Sequence, residues 1–102
     1  MNKVLGYLGL ANRAGKLRNG HVVTDLVRRN QAKVVLYASD ASDRTKKQIS
    51  DKCSYYRVPC YEFLDSETIS AAIGGQNMKI VAVTDASFAS AIVGELERTE
   101  VD

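Results

Sequence analysis

Asp40 and Asp85 are the residues of this sequence best placed for catalysis. Each lies just beyond a short, β-branched apolar run, where α/β enzymes put their acids. A carboxylate at such a strand end can act as a general acid or base, or hold a metal. The partners for that chemistry do not follow. His21 is the only histidine, and no base lies near Ser39, Ser42 or Ser87 in the sequence. Cys53 and Cys60 do not have the spacing of a zinc site. Gly15 and Gly20 belong to no Gly-Lys-Ser/Thr or G-x-G-x-x-G pattern. Two acids without a nucleophile, a histidine partner or a metal set make no mechanism. The residues therefore predict turn and capping roles for Asp40 and Asp85, with no catalytic residue, no metal and no cofactor.

Residues 10–29 offer a different chemistry, the binding of an anion. Gly15 follows a helical pattern, where it can take the left-handed conformation that ends a helix. Asn19-Gly20 precedes the next apolar pattern, and Asn is a strong N-cap. Arg13, Lys16 and Arg18 stand just upstream. Cations around a helix start suit phosphate, although from this stretch alone an ordinary solvated helix-to-helix connection is the favoured reading, because such turns are common. His21 reads as a polar contact at that helix start. Glycine-flanked Ile73 and Met78 could present an apolar lip beside the basic rim. Tyr55-Tyr56 could stack on bases, but core packing for Tyr56 with rim packing for Tyr55 is the better account of them.

Charge is unevenly spread along the 102 residues. Residues 1–58 carry twelve Lys/Arg against four Asp/Glu, a balance of +8. Residues 59–102 carry two against eight, a balance of −6. Such a split suggests one basic surface for a polyanion, unless the halves interleave in space. The length fits a single domain, 1–102, and the composition is ordinary for a globular chain. No run approaches a membrane span and the N-terminus lacks a signal-peptide layout, so a cytoplasmic protein is expected. With no disulfide framework, both cysteines are expected as buried thiols.

The elements that must carry these residues can be read from periodicity. Asn2 caps a helix over 3–14, with Val4, Leu8 and Ala11 on its apolar face. A short strand is expected at 16–19 and a second helix at 21–29. Its stripe is Val22, Val23, Leu26 and Val27. Residues 34–38 and 80–83 read as strands buried on both faces. Ser42 starts a third helix, to about Tyr56, with Ile49, Cys53 and Tyr56 inward. Pro59 marks an edge strand over 60–63. Asp65 or Ser66 caps a short helix that ends at Gly74-Gly75. Asp85 with Ser87 starts the last helix, with Phe88, Ala91, Ile92 and Leu96 inward and residues 99–102 frayed. Buried strands alternating with helices mean an α/β/α sandwich. No long apolar stripe is left over, which predicts a monomer.

Particular stretches then resemble a known family. They are Leu-Ala-Asn-Arg-Ala-Gly-Lys at 10–16, Gly20, Ala-Lys-Val-Val-Leu at 32–36, and Asp40-Ala41-Ser42. Thr45-Lys46-Lys47, Asp51-Lys52-Cys53 with Tyr55-Tyr56, Val58-Pro59 and Ala72-Ile73-Gly74 follow in order. Val81-Ala82-Val83-Thr84-Asp85 with Phe88-Ala89 completes them. Together they resemble the kink-turn-binding ribosomal proteins of the L7Ae/L30e group, most of all its small bacterial YlxQ-type members. The resemblance covers nearly the whole chain.

That resemblance implies a three-layer α/β/α sandwich with a mixed four-stranded sheet, no catalysis, and binding to RNA bent at a bulge beside tandem sheared G·A pairs. Carried onto this chain, it implies contacts from Lys16, Asn19, Gly20 and His21, and from Ile73, Gly74, Gly75, Gln76 and Met78. The loop at Ser39-Asp40 borders the same surface. Arg13, Arg18, Arg28, Arg29, Lys46 and Lys47 would add electrostatic attraction. The partner would be a kink-turn or ribosomal RNA, with ribosomal or other proteins as further partners and no membrane or small-molecule substrate. One departure stands out. The archaeal pattern after the helix-two glycine is Thr-Asn-Glu, then Lys three positions after Glu. Here those positions hold His21, Val22, Val23 and Leu26, or Gly20, His21, Val22 and Asp25 in a register one shorter. Neither restores the set that reads the guanines, so a weaker or altered RNA preference is expected. The alternative is a protein-interaction module on the same fold.

Overall fold

The computed structural model describes residues 2–75 and 77–101. In chain order the elements are α1 (Lys3–Arg13), β1 (Leu17–Asn19), α2 (Val22–Arg28), β2 (Val34–Tyr37) and α3 (Asp43–Tyr56). Then come β3 (Cys60–Glu62), α4 (Ser66–Ile73), β4 (Ile80–Val83) and α5 (Ala86–Val101). Side-chain caps set most helix starts. The N–H of Val4 donates to Asn2 Oδ1 at 2.8 Å, that of Thr45 to Ser42 Oγ at 3.1 Å, and that of Thr68 to Asp65 Oδ1 at 2.7 Å. Phe88 N–H donates to Asp85 Oδ2 at 3.0 Å. Each such cap stabilises its helix by about 1 kcal/mol. The first turn of α2 has no side-chain cap. The expected Asn19 cap is not made, because Asn19 is spent as the last residue of β1.

The sheet is mixed, with strand order β1-β4-β2-β3. β4 pairs antiparallel with β1 and with β2, and β2 pairs parallel with β3. β3, entered from Pro59, is an edge as expected. The central strands are buried on both faces, and alternate residues feed two different cores. Val34, Leu36, Val81 and Val83 pack with Val4, Leu8, Ile69 and Ile92, beneath α1, α4 and α5. Val35 and Ala82 pack with Val23, Val27, Ile49 and Cys53, beneath α2 and α3. This is the three-layer α/β/α sandwich. Burying each of these larger aliphatic side chains contributes about 1.5–3 kcal/mol.

Several inward expectations need correction. Val22 is 45% exposed while Val23 and Val27 are fully buried, so the stripe of α2 is narrower than its sequence suggests. On α5, Ala89 is buried rather than Ala91, with Ile92 at the centre and Phe88 and Leu96 at the margin. The α5 helix spans Ala86–Val101; the end expected to fray, at 99–102, lies at the margin of the described residues, with Asp102 outside them. Cys53 is buried as expected, but Cys60 is only half-buried because it lies on the edge strand. The neighbouring Cys60 thiol, together with burial, pushes the Cys53 thiol up. The charge split survives folding only in part: the basic first half supplies α2 and α3 on one face, but its α1 shares the other face with α4 and α5 of the acidic second half.

Candidate nucleic-acid interface

The chain between β1 and α2 turns on Gly20, whose φ of +79° is left-handed and whose N–H donates to the Ile80 carbonyl at 3.1 Å. That bond pins the start of α2 to the start of β4. The loop entering β4 is thereby brought beside Asn19 and His21, although nearly sixty residues separate them in sequence. Between them and α3 lies a depression of about 360 Å³. Asn19, Gly20, His21 and Thr24 form one wall. Thr45, Gln48 and Ile49 of α3 form the second, and residues 77–80 close it. Its rim carries the hydrogen-bonding side chains of Asn19, His21, Thr24, Thr45, Gln48 and Asn77 and the Lys79 ammonium, around an apolar floor of Ile49, Met78 and Ile80. Such a surface can take the edge and face of a flat polar ring.

The loop over residues 74–79 is built from α4. Gly74 ends that helix in the left-handed conformation, and Gly75 N–H donates to the Ser70 carbonyl at 2.9 Å. Met78 N–H donates to Ser70 Oγ at 2.9 Å. A Cβ on Gly75 would fall 2.1 Å from Met78 Cε, so only glycine lets Met78 fold back in this arrangement. Lys79 is held by Asp40: its ammonium donates to Asp40 Oδ2 at 3.1 Å. The same carboxylate accepts from Ser66 Oγ at 2.6 Å and from Ser66 N–H at 2.8 Å. These bonds, the Ser66 hydroxyl first, hold the Asp40 carboxyl well below the usual carboxylate range. Asp40 thus ties the β2–α3 loop, the start of α4 and the approach to β4 together, and Asp85 caps α5. Both acids are occupied in structural roles.

The residues expected to contact RNA do not all meet. Asn19, Gly20, His21 and Met78 line the depression. Gly75 and Asp40 lie on its far flank, in a shallow groove with Ser66, Ser70, Asn77 and Lys79. Ser39 is beside Asp40, its N–H bonded to the Leu64 carbonyl at 3.2 Å. Ile73 offers no lip. It is 8% exposed, part of the core under α4, and only its carbonyl is engaged, by Asn12 Nδ2 at 3.0 Å. Gln76 lies outside the described residues. Lys16 stands at the opposite end of β1, where its carbonyl accepts from Thr84 N–H at 2.8 Å. Three residue steps along the strand, about 10 Å, separate it from Asn19 at the depression.

The auxiliary cations are mostly paired. Arg28 and Arg29 both bind Asp25, Arg29 at 3.0 Å. Lys46 pairs with Glu62 at 3.3 Å and Lys47 with Asp51 at 3.2 Å. Arg18 folds back on the Leu17 and Gly15 carbonyls. Among the described residues, Arg13, Lys16, Arg44, Lys52 and Arg57 make no ion pair. Sequence reading missed Thr24, Thr45, Gln48, Asn77 and Lys79. The signal for two of them was present: Thr45 and Gln48 are neutral polar residues, one turn apart, on an otherwise highly charged helix.

Among the described residues no group of acids, histidines and cysteines could hold a metal, and no helix is long and apolar enough to cross a membrane. The fold defines a small α/β/α protein with a depression at one end of its sheet. The chain belongs to the Ribosomal protein L7Ae/L30e/S12e/Gadd45 family, whose model matches residues 2–93. It is 43% identical over 88 residues to an Enterococcus faecium protein named RNA-binding protein YlxQ, covering 85% of this chain and 84% of that one. It is 41% identical over 91 residues to the Bacillus subtilis (strain 168) protein of the same name, covering 88% and 91%. A solved Bacillus halodurans protein of unknown function superposes with a TM-score of 0.92 at 33% identity, over 95% of this chain and 99% of that one. A Giardia lamblia 15.5kD RNA binding protein shares the fold, with a TM-score of 0.81 at 17% identity over 94% and 86%.

Proposed function

We propose that this protein binds structured RNA without catalysis, docking a kink-turn-like element in the depression between α2, α3 and the loop before β4. It would act as a single-domain monomer in a cytoplasmic ribonucleoprotein, in the ribosome or in RNA metabolism. One observation carries the reading. Asn19, His21, Thr45, Gln48 and Asn77, all hydrogen-bonding residues, converge from three separate segments on one apolar-floored depression. Base edges are read by such groups, while phosphates need only cations. The family and its YlxQ relatives support RNA as the ligand. The structural engagement of Asp40 and Asp85 supports the absence of chemistry. Lys16, Arg13 and Arg44 would contribute at the periphery.

The test is a salt titration of binding to a kink-turn RNA and to the same RNA with its G·A pairs replaced. Preference for the intact kink-turn is the expected result. Equal, strongly salt-dependent binding to both would reduce the site to a generic RNA surface. No binding to either at moderate salt would move the function to a protein-interaction module, for which exposed Val22 is the first contact to test.

A further inference from the structure

Tyr55 is 80% exposed, far more than any other large hydrophobic side chain exposed among the described residues. Its ring meets Tyr56 edge-on, with centroids 4.8 Å apart and planes at 78°. Tyr56 packs against the core under α3, so the contact anchors Tyr55 while most of its ring stays in solvent. The two tyrosines end a stripe of α3 at helical spacing: Gln48, Asp51, Lys52, Tyr55 and Tyr56. With Thr24 of α2 opposite, this stripe lines a second, open depression of about 680 Å³. Thr24 and Gln48 line both depressions, so the two surfaces are continuous. Lys52 makes no ion pair among the described residues, whereas Asp51 is already held by Lys47 at 3.2 Å.

We infer that Tyr55, backed by Tyr56 and flanked by Lys52, is a stacking platform for an unpaired nucleobase of the RNA strand leaving the first depression. The inference rests on the proposed RNA-binding function and extends it to a second contact. Seven residues of helix separate Gln48 from Tyr55, about 10 Å along the axis. Roughly three stacked nucleotides cover that distance at about 3.4 Å each. A tyrosine face accepts any base, and the Lys52 ammonium lies where a flanking phosphate would pass. A protein-docking patch would need contiguous apolar neighbours. Here the neighbours other than Tyr56 are Thr24, Gln48, Asp51 and Lys52, a polar surround that suits a nucleotide better.

The test compares binding of one kink-turn RNA, bare and with a short unpaired adenosine tail at each end in turn. The proteins are the unaltered chain, Tyr55→Ala, Tyr55→Phe and Lys52→Ala. A tail at one end should tighten binding by the unaltered chain roughly 10-fold. Tyr55→Ala should lose that gain and bind the bare RNA unchanged, Tyr55→Phe should keep the gain, and Lys52→Ala should lower the salt slope for the tailed RNA only. Binding to the bare RNA with no gain from either tail overturns the platform alone. So does a gain that survives Tyr55→Ala, and either result would leave the tyrosine face to a protein partner. Failure to bind any of the RNAs overturns the platform and the proposed function together.

Discussion

The Lys79 ammonium and Asp40 Oδ2 meet at 3.1 Å, joining the approach to β4 to the loop after β2. The pair places a cation at the rim of the depression and neutralises it there. Asp40→Asn should lower the melting temperature at neutral pH, because it removes the acceptor for the Ser66 hydroxyl and Lys79. The folded pKa of Asp40 is depressed below an unfolded value of about 3.9. Its contribution is therefore complete above that value and is lost as pH falls through the folded pKa. The melting temperatures of the two proteins should differ at neutral pH and converge in acid. In RNA titrations Asp40→Asn should steepen the salt slope by about one counterion, through the released Lys79.

The two neighbouring valines of α2 should behave oppositely. Val23 is fully buried and Val22 is 45% exposed. Val23→Ala should cost about 2 kcal/mol in denaturant unfolding, while Val22→Ala should stay within about 0.5 kcal/mol. Equal losses at both positions would contradict the orientation of α2.

Under the proposed function, that orientation also favours one of the two registers of α2 over the other. A residue that reads a base must face outward, which fully buried Val23 does not. In the register of Gly20, His21, Val22 and Asp25 the first three are exposed and Asp25 is half-buried, and the family resemblance sets these four against Thr, Asn, Glu and Lys. The combined change His21→Asn, Val22→Glu and Asp25→Lys should raise discrimination for intact G·A pairs by about 10-fold or more, since each good base contact contributes about 1–3 kcal/mol. Competition binding with the G·A-replaced RNA measures it.

Lys16 makes no ion pair among the described residues, yet it sits at the far end of β1 from the depression. Lys16→Ala should weaken binding to all RNAs about equally and lower the salt slope by about 1. A loss confined to the intact kink-turn would place its side chain at the bases instead.

Arg57 ends α3 in the left-handed conformation, at φ +60°. A side chain pays steric strain there that glycine avoids. Arg57→Gly should raise unfolding stability by about 0.5–1 kcal/mol, measured by denaturant titration.

The secondary structure of this protein was written in short-range terms. Asn2, Ser42, Asp65 and Asp85 cap helices within three residues of themselves, and the apolar runs at Val34 and Ile80 form the central strands. Such signals depend on neighbours along the chain, so the sequence alone determined the element order, the buried strands and the layered fold class. Asn19 misled because its local cap signal lost to strand pairing with Val81. Ile73 misled because glycine neighbours suggest a loop, while its side chain completes the core under α4. Only the tertiary structure decided which residues share a surface. β4 lies between β1 and β2, and the Gly20–Ile80 hydrogen bond draws Asn77 and Met78 to His21 while leaving Lys16 at the other end of β1. Thr24, Thr45 and Gln48 join them because α2 and α3 pack side by side on one face of the sheet. Pairing and packing between distant segments set those neighbours, and no local pattern in the chain records them.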